Sequence, residues 1–270
     1  MKKLLAFTDL HIRASNIIGL DPVERFKEGL AHSLAHHSDA EGIVLMGDLT
    51  HSGTVSEYEL LKSLLMGIEL PIIFMMGNHD RRDAFMQVFP DAVLDGNGFV
   101  QSKRNIGGWH FITLDSLDGP PYPDKQHSGR LCDDRLTWLS DALRQASDKP
   151  VVLFIHHPLG DVGFPGMDDI KLTNADDVLA LINHHQMPVH VVAGHVHRTI
   201  SGMWSGVPYT IFKSPCHQQP LDFTIANSSL AVDEPGAYGL LIFDEGNLII
   251  HSEDFGIAQR DIPPDPDVDG

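Results

Sequence analysis

The sequence predicts an α/β protein whose first half pairs its strands in parallel. Three observations carry this. Short apolar runs at Lys3–Thr8, Ile43–Met46 and Ile72–Met76 have the length of buried strands. Helix-period segments separate them. A strand–helix–strand–helix–strand order calls for parallel neighbours joined by right-handed crossovers.

The helical segments have clear signatures. Pro22–His37 carries Phe26, Leu30 and Leu34 at four-residue spacing. Thr54–Gly67 places Tyr58, Leu61 and Leu65 on one face, with Thr54 and Ser56 as candidate N-caps. Further along, Phe99–Asn105 and Trp109–Leu114 read as strands turned at Gly107-Gly108. Asp133–Ala146 is a helix, Val151–Ile155 a strand, Asn174–His185 a helix and Val189–Ala193 a strand. The last third changes character. Ile200–Trp204, Tyr209–Phe212, Tyr238–Phe243 and Leu248–His251 read as strands of a second, largely antiparallel sheet. Three stretches, Ser116–Gly129, Pro158–Thr173 and Ser214–Gly236, hold much of the Pro and Gly, and loops of that length in a compact domain serve binding.

Composition narrows the function classes. A chain of 270 residues with 42% hydrophobic and 21% charged content is an ordinary globular protein with a full core. The formal charge of -18 disfavours long polyanions, so no nucleic acid polymer is expected as partner. No stretch reads as a membrane span, and the apolar run after Met1 is too short for a signal peptide. A cytoplasmic protein with no membrane partner is expected, its Cys132 and Cys216 reduced. Seventeen histidines are many for this length.

Those histidines matter by position. Asp9-Leu10-His11, Gly47-Asp48, Gly77-Asn78-His79-Asp80, His156-His157 and Gly194-His195-Val196-His197 each follow a predicted strand. Ligands of open α/β sheets bind beyond the carboxyl ends of strands, so the clusters can build one site. Imidazole, carboxylate and amide oxygen form a mixed shell for two divalent metal ions, favouring Mn, Fe, Zn, Co or Ni over Mg. Glycine ahead of Asp48, Asn78 and His195 lets the backbone turn sharply. His36-His37 and His184-His185 sit at helix ends and read as solvated residues.

The five blocks in this order resemble the calcineurin-like metallophosphoesterase pattern, from residue 4 to about 200. Gly129-Arg130-Leu131 before Trp138-Leu139, and Pro215-Cys216-His217, are similar to the bacterial cyclic-nucleotide phosphodiesterase and glycerophosphodiesterase branch. The resemblance implies a four-layer α/β/β/α sandwich of two mixed sheets flanked by helices. It divides the chain into a core at 1–200 and a region at 201–256 that completes the second sheet and adds a cap or oligomer contact; the Pro- and Asp-rich composition makes 257–270 a flexible acidic tail. The resemblance also implies that Asp9, His11 and His197 bind one metal, that Asn78, His156 and His195 bind the other, and that Asp48 bridges them. The cofactors are then two ions of Mn, Fe, Zn or Co, or a mixed Fe/Mn pair.

The implied activity is hydrolysis of small soluble phosphodiesters, cyclic nucleotides or glycerophosphodiesters, by in-line attack of a metal-bridging hydroxide. Two dications of about +4 against about -3 from Asp9, Asp48 and hydroxide leave roughly one positive charge, which suits a diester monoanion. His79 stabilises charge or protonates the leaving oxygen, while Asp80 either orients His79 or caps a following helix. Asn78, His79 and His217 are the substrate-binding candidates, and His157, beside a ligand, has a packing role or supports that ligand from behind. His51 departs from the acidic or amide residue that relatives more often carry there. No Arg follows Asp48 before Arg81, which weakens a phosphomonoesterase reading. A non-catalytic scaffold would have lost histidines, and none is missing. A homo-oligomer is expected.

Overall fold

The computed structural model describes residues 1–122 and 127–258. Eleven strands form two sheets among them. In the first, β1 (Lys2–Phe7), β2 (Ile43–Met46), β3 (Ile72–Met75), β10 (Ala237–Phe243) and β11 (Leu248–Asp254) run in the order β11-β10-β1-β2-β3. In the second, β4 (Ser102–Ile106), β5 (Trp109–Leu114), β6 (Val151–Ile155), β7 (Val189–Ala193), β8 (Ile200–Trp204) and β9 (Val207–Ile211) run in the order β4-β5-β6-β7-β9-β8. The pairings β1–β2, β2–β3, β5–β6 and β6–β7 are parallel, the first two as the alternation predicts.

The layers follow from which residues each strand turns inward. Leu4 and Ala6 of β1 join Val44, Met46, Phe154 and Phe243 in a core between the sheets. Leu5 and Phe7 point the other way, onto Phe26, Leu30 and Tyr58 of α1 (Pro22–His37) and α2 (Val55–Leu64). On the far side, Leu153 and Val191 pack on Leu139, Leu143 and Val178 of α4 (Asp133–Gln145) and α6 (Ala175–His184). The result is α/β/β/α. Both faces of the inner strands are buried, which is why they read as unbroken apolar runs.

The helices begin where the chain supplies a cap. Asp21 accepts from Val23 and Glu24 N–H at the start of α1. Thr54 and Glu57 close a reciprocal capping box on α2. Two short helices lacked predicted bounds: α3 (Arg82–Val88) and α5 (Pro165–Asp168).

Two expectations need correction. The late strands form no sheet of their own. β8 and β9 extend the second sheet, while β10 pairs antiparallel with β1 and completes the first. The 201–256 region is therefore divided between both sheets. Phe99–Gln101 is not strand, because Asp95 and Asp115 take the Phe99 and Val100 N–H groups that a ladder would need. The tail expected at 257–270 lies outside the described residues from 259 on. No helix among the described residues is long and apolar enough to cross a membrane.

Candidate metal centre

The parallel strands of both sheets deliver their carboxyl ends to one edge. Asp9 and His11 follow β1, Asp48 follows β2, and Asn78 follows β3. From the second sheet, His156 follows β6, and His195 and His197 follow β7. The loops after β1 and β2 run side by side: Asp9, His11 and Ile12 N–H donate to the carbonyls of Gly47, Asp48 and Leu49 at 3.1, 2.9 and 3.1 Å.

The backbone is strained at the centre itself. Asp9, His11, Asp48, His195 and His197 all have positive φ, between 47° and 70°. Such non-glycine residues cost about 1–3 kcal/mol each and persist where surrounding structure over-determines them. The glycines serve mainly to make room. Only Gly47 of the three has positive φ, at 92°. A Cβ on Gly77 would collide with Asp48 and the His156 ring, and one on Gly194 with Thr8 and Asp9.

Hydrogen bonds fix which atom of each side chain faces inward. His156 donates Nδ1–H to the Met46 carbonyl at 2.9 Å, and His197 donates Nδ1–H to the His217 carbonyl at 2.9 Å. A carbonyl only accepts, so the Nε2 lone pair of each neutral ring is left for a ligand. Asp9 Oδ2 takes the Thr8 hydroxyl at 2.7 Å and His195 N–H at 2.9 Å, leaving Oδ1 free. Asp48 Oδ1 accepts His79 N–H at 2.8 Å.

What remains is a set of buried donors without partners: Asp9 Oδ1, Asn78 Oδ1, and Nε2 of His156 and His195. His11 Nε2 faces His197 Nε2 at 3.1 Å, and His197 Nε2 stands 3.3 Å from Asp9 Oδ1. His156 Nε2 is 3.6 Å from Asp48 Oδ1 and 3.8 Å from Asp9 Oδ1, and His11 Nε2 is 3.7 Å from Asp48 Oδ2. Donors bound about 2 Å from one ion have this spacing. Asp9, His11 and Asp48 also offer atoms within 4.8 Å of one another. The residues fit divalent metal ions.

The electrostatics agree. Burial alone would raise Asp9 and Asp48, yet neighbouring imidazoles, His197 and His156 for Asp9 and His156 and His79 for Asp48, hold both below the ordinary carboxylate value. Burial opposes a charge on His156, but Asp48 and Asp9 push it up to about 9. Two buried carboxylates thus attract cations to this point.

A model of the calcineurin-like phosphoesterase family matches residues 2–199. The chain belongs to that family. Among relatives of this calcineurin-like phosphoesterase, a probable cyclic nucleotide phosphodiesterase of Rhodopseudomonas palustris is 37% identical over 256 residues, covering 94% of this chain and 92% of the relative. A probable glycerophosphodiester phosphodiesterase of Arcobacter nitrofigilis is 28% identical over 264 residues, covering 95% and 94%. The dimetal phosphatase from Danio rerio, at 13% identity, shares the fold with a TM-score of 0.71 over 94% of this chain and 96% of that one.

The phosphoesterase cavity, about 290 Å³, is lined by His11, Asp48, Asn78, His79, His195 and His197, among others. His79 lines it with Nδ1–H given to the His51 carbonyl at 2.7 Å. His51 therefore orients His79 through its backbone. Asp80 does neither of the things expected of it. Its carboxylate is fully buried and takes Leu49 N–H, Thr50 N–H, Gly77 N–H and the Tyr58 hydroxyl. It makes no bond to His79, and the N-cap of α3 is Arg81, without a side-chain cap bond. Burial, then Asp48, raises Asp80 to about 6.

His217 lines the cavity with its ring 4.5 Å from that of His197. Burial, then His197, pushes it down to about 3. His157 is buried beside His156 and His195, near enough to share an ion with them, but its Nδ1 takes the Ser116 hydroxyl at 2.7 Å. Sequence reasoning missed His127, which lines the cavity and bonds Asn78 at 2.9 Å. Its one signal was its place in the Pro- and Gly-rich stretch before Gly129.

Proposed function

We propose that this protein is a two-ion phosphodiesterase acting on small soluble diesters, with cyclic nucleotides and glycerophosphodiesters as the candidate classes. One observation carries the reading. Unpartnered buried donors from strands of both sheets, Asp9 Oδ1, Asn78 Oδ1, His156 Nε2 and His195 Nε2, converge beside a single cavity. The names of the relatives support a diester substrate.

In this reading Asp9, His11 and His197 hold one ion, Asn78, His156 and His195 the other, and Asp48 is shared. Mn, Fe, Zn or Co suits these donors. When bound, such ions neutralise ester oxygens and lower the pKa of water. Asp9 and Asp48 supply the negative charge that such ions would meet. His79 has Nδ1–H fixed on a carbonyl, so Nε2 is the atom left to exchange a proton with the leaving oxygen. His217 and Asn78 flank the ester.

The cavity wall favours a diester over a monoester. No Arg or Lys lines it among the described residues, so a phosphoryl dianion finds no side-chain cation. Arg81 gives its guanidinium to the Asn78 and Asp80 carbonyls instead. Ile17, Ile18, Met167 and Ile170 offer apolar surface to the second ester group.

The same reading keeps the protein cytosolic and homo-oligomeric. Leu221 and Phe223, 63% and 60% exposed, offer apolar surface for a second copy. A monomeric mass by light scattering would remove that part. The function itself is tested by comparing bis- with mono-p-nitrophenyl phosphate on Mn-loaded protein, followed by cyclic nucleotides and glycerophosphodiesters. Faster turnover of the diester supports the reading; faster turnover of the monoester replaces it with a monoesterase.

A further inference from the structure

The stretch Ser116–Gly129 ends near a histidine that the scheme above does not use. His127 Nδ1 lies 2.9 Å from Asn78 Nδ2. An amide nitrogen only donates, so His127 Nδ1 must present its lone pair, and a neutral ring then carries its proton on Nε2. The opposite amide orientation would bring Asn78 Oδ1 against that lone pair and turn the NH₂ group toward the ion site. With its proton on Nε2, the His127 ring holds the orientation that leaves Asn78 Oδ1 buried and without a partner.

His127 is itself held from below. Its carbonyl accepts Nε2–H of buried His157 at 3.1 Å, and His157 Nδ1 accepts the buried Ser116 hydroxyl at 2.7 Å. Gly129 leaves space for that ring, since a Cβ there would run into it. The loop end is pinned again where Arg130 N–H donates to Ser116 O at 3.1 Å and Thr173 N–H donates to Gly129 O at 2.9 Å. The His127 ring also lies against His79, with centroids 5.4 Å apart and planes 27° apart.

We propose that His127 is a positioning residue: it fixes the Asn78 amide with its oxygen toward the second ion, and His157 holds His127 in place. The proposal rests on the two-ion reading. It explains why a fully buried histidine beside the ligand His156 spends both ring nitrogens on a loop and none on the ion site. Bonds of this kind, from a neighbour to a ligand, change metal affinity by about 10–100-fold when removed.

The test titrates metal-stripped full-length protein with Mn(II) and follows free Mn(II) by electron paramagnetic resonance. Wild type, His127→Ala and His127→Asn are compared. His127→Ala is expected to weaken one of the two ions by about 10–100-fold and leave the other unchanged. His127→Asn, whose Oδ1 can stand where Nδ1 stood, is expected to restore most of that loss. Wild-type affinity for both ions in His127→Ala overturns the proposal, as does equal weakening of both or a His127→Asn no better than His127→Ala. Wild-type protein that binds fewer than two ions overturns the two-ion reading beneath it instead.

Discussion

The Tyr58 hydroxyl donates to Asp80 Oδ1 at 2.9 Å, deep under the loops that carry Asp48 and Asn78. Asp80 also takes Leu49 and Thr50 N–H from one loop and Gly77 N–H from the other. One carboxylate thus ties together the backbone beside two candidate ligands. Asp80→Asn turns an amide NH₂ toward at least one of these donors, at about 1–3 kcal/mol for a buried unsatisfied group. The expected outcome is a lower Tm together with a fall of about 10–100-fold in kcat/KM. A variant with wild-type Tm and turnover would show that Asp80 does not organise the loops.

His79 is expected to act on the leaving oxygen. His79→Ala should lower kcat by about 10²–10⁴-fold on a diester with an alkoxide leaving group. The loss should be much smaller for bis-p-nitrophenyl phosphate, whose leaving group needs no proton. Equal losses on the two substrates would contradict a proton-transfer role.

Arg82 grips Asp115 with two bonds of 2.7 Å, and Arg135 donates to the Asp115 and Leu117 carbonyls at 2.8 Å. The group is buried and joins α3 and α4 to the start of the 116–129 segment. Asp115→Ala removes the counter-charge of buried Arg82 and the carboxylate 3.8 Å from Arg135, leaving both only backbone carbonyls, and should cost about 3–5 kcal/mol in urea unfolding. A loss under about 1 kcal/mol, the size of a surface pair, would show that the network is not what holds that segment.

His190 on β7 is half-buried, 3.0 Å from the Thr210 hydroxyl, and burial pushes it down to about 4 from 6.5. Its folded-state pKa is depressed, so the unfolded chain binds the proton first as pH falls. Its stability contribution is present above pH 6.5 and is lost as pH falls toward 4. His190→Gln should flatten the dependence of Tm on pH across that window. An unchanged slope would show that His190 does not titrate on unfolding.

Much of the fold was legible because burial on both faces leaves a plain mark. β2, β6, β7 and β8 have the predicted ends, and α1 runs over Pro22–His37 as predicted. The partner of β10 was not legible, since Leu241 pairs with Leu4 across the whole chain and nothing local records it. At the site, the structure brings all seven candidate ligands to one edge. The left-handed backbone at Asp9, His11, Asp48, His195 and His197 was not foreseen; it accompanies bonds between loops far apart in sequence, such as His11 N–H to Asp48 O and His195 N–H to Asp9 Oδ2. Asp80 was misread for a related reason: adjacency to His79 says nothing of the side into which its carboxylate turns. His127 looked like any loop histidine until the loop was folded onto Asn78.

The most direct measurement is metal stoichiometry joined to turnover. Metal-stripped protein is reloaded with Mn(II), bound ions per chain are counted, and bis-p-nitrophenyl phosphate hydrolysis is followed at each loading for wild type and Asn78→Ala. The account predicts two ions per wild-type chain, turnover that appears only as the second ion binds, and loss of both that ion and turnover in Asn78→Ala. Full turnover with the metal stripped, or with Asn78→Ala loaded and active as wild type, would contradict it.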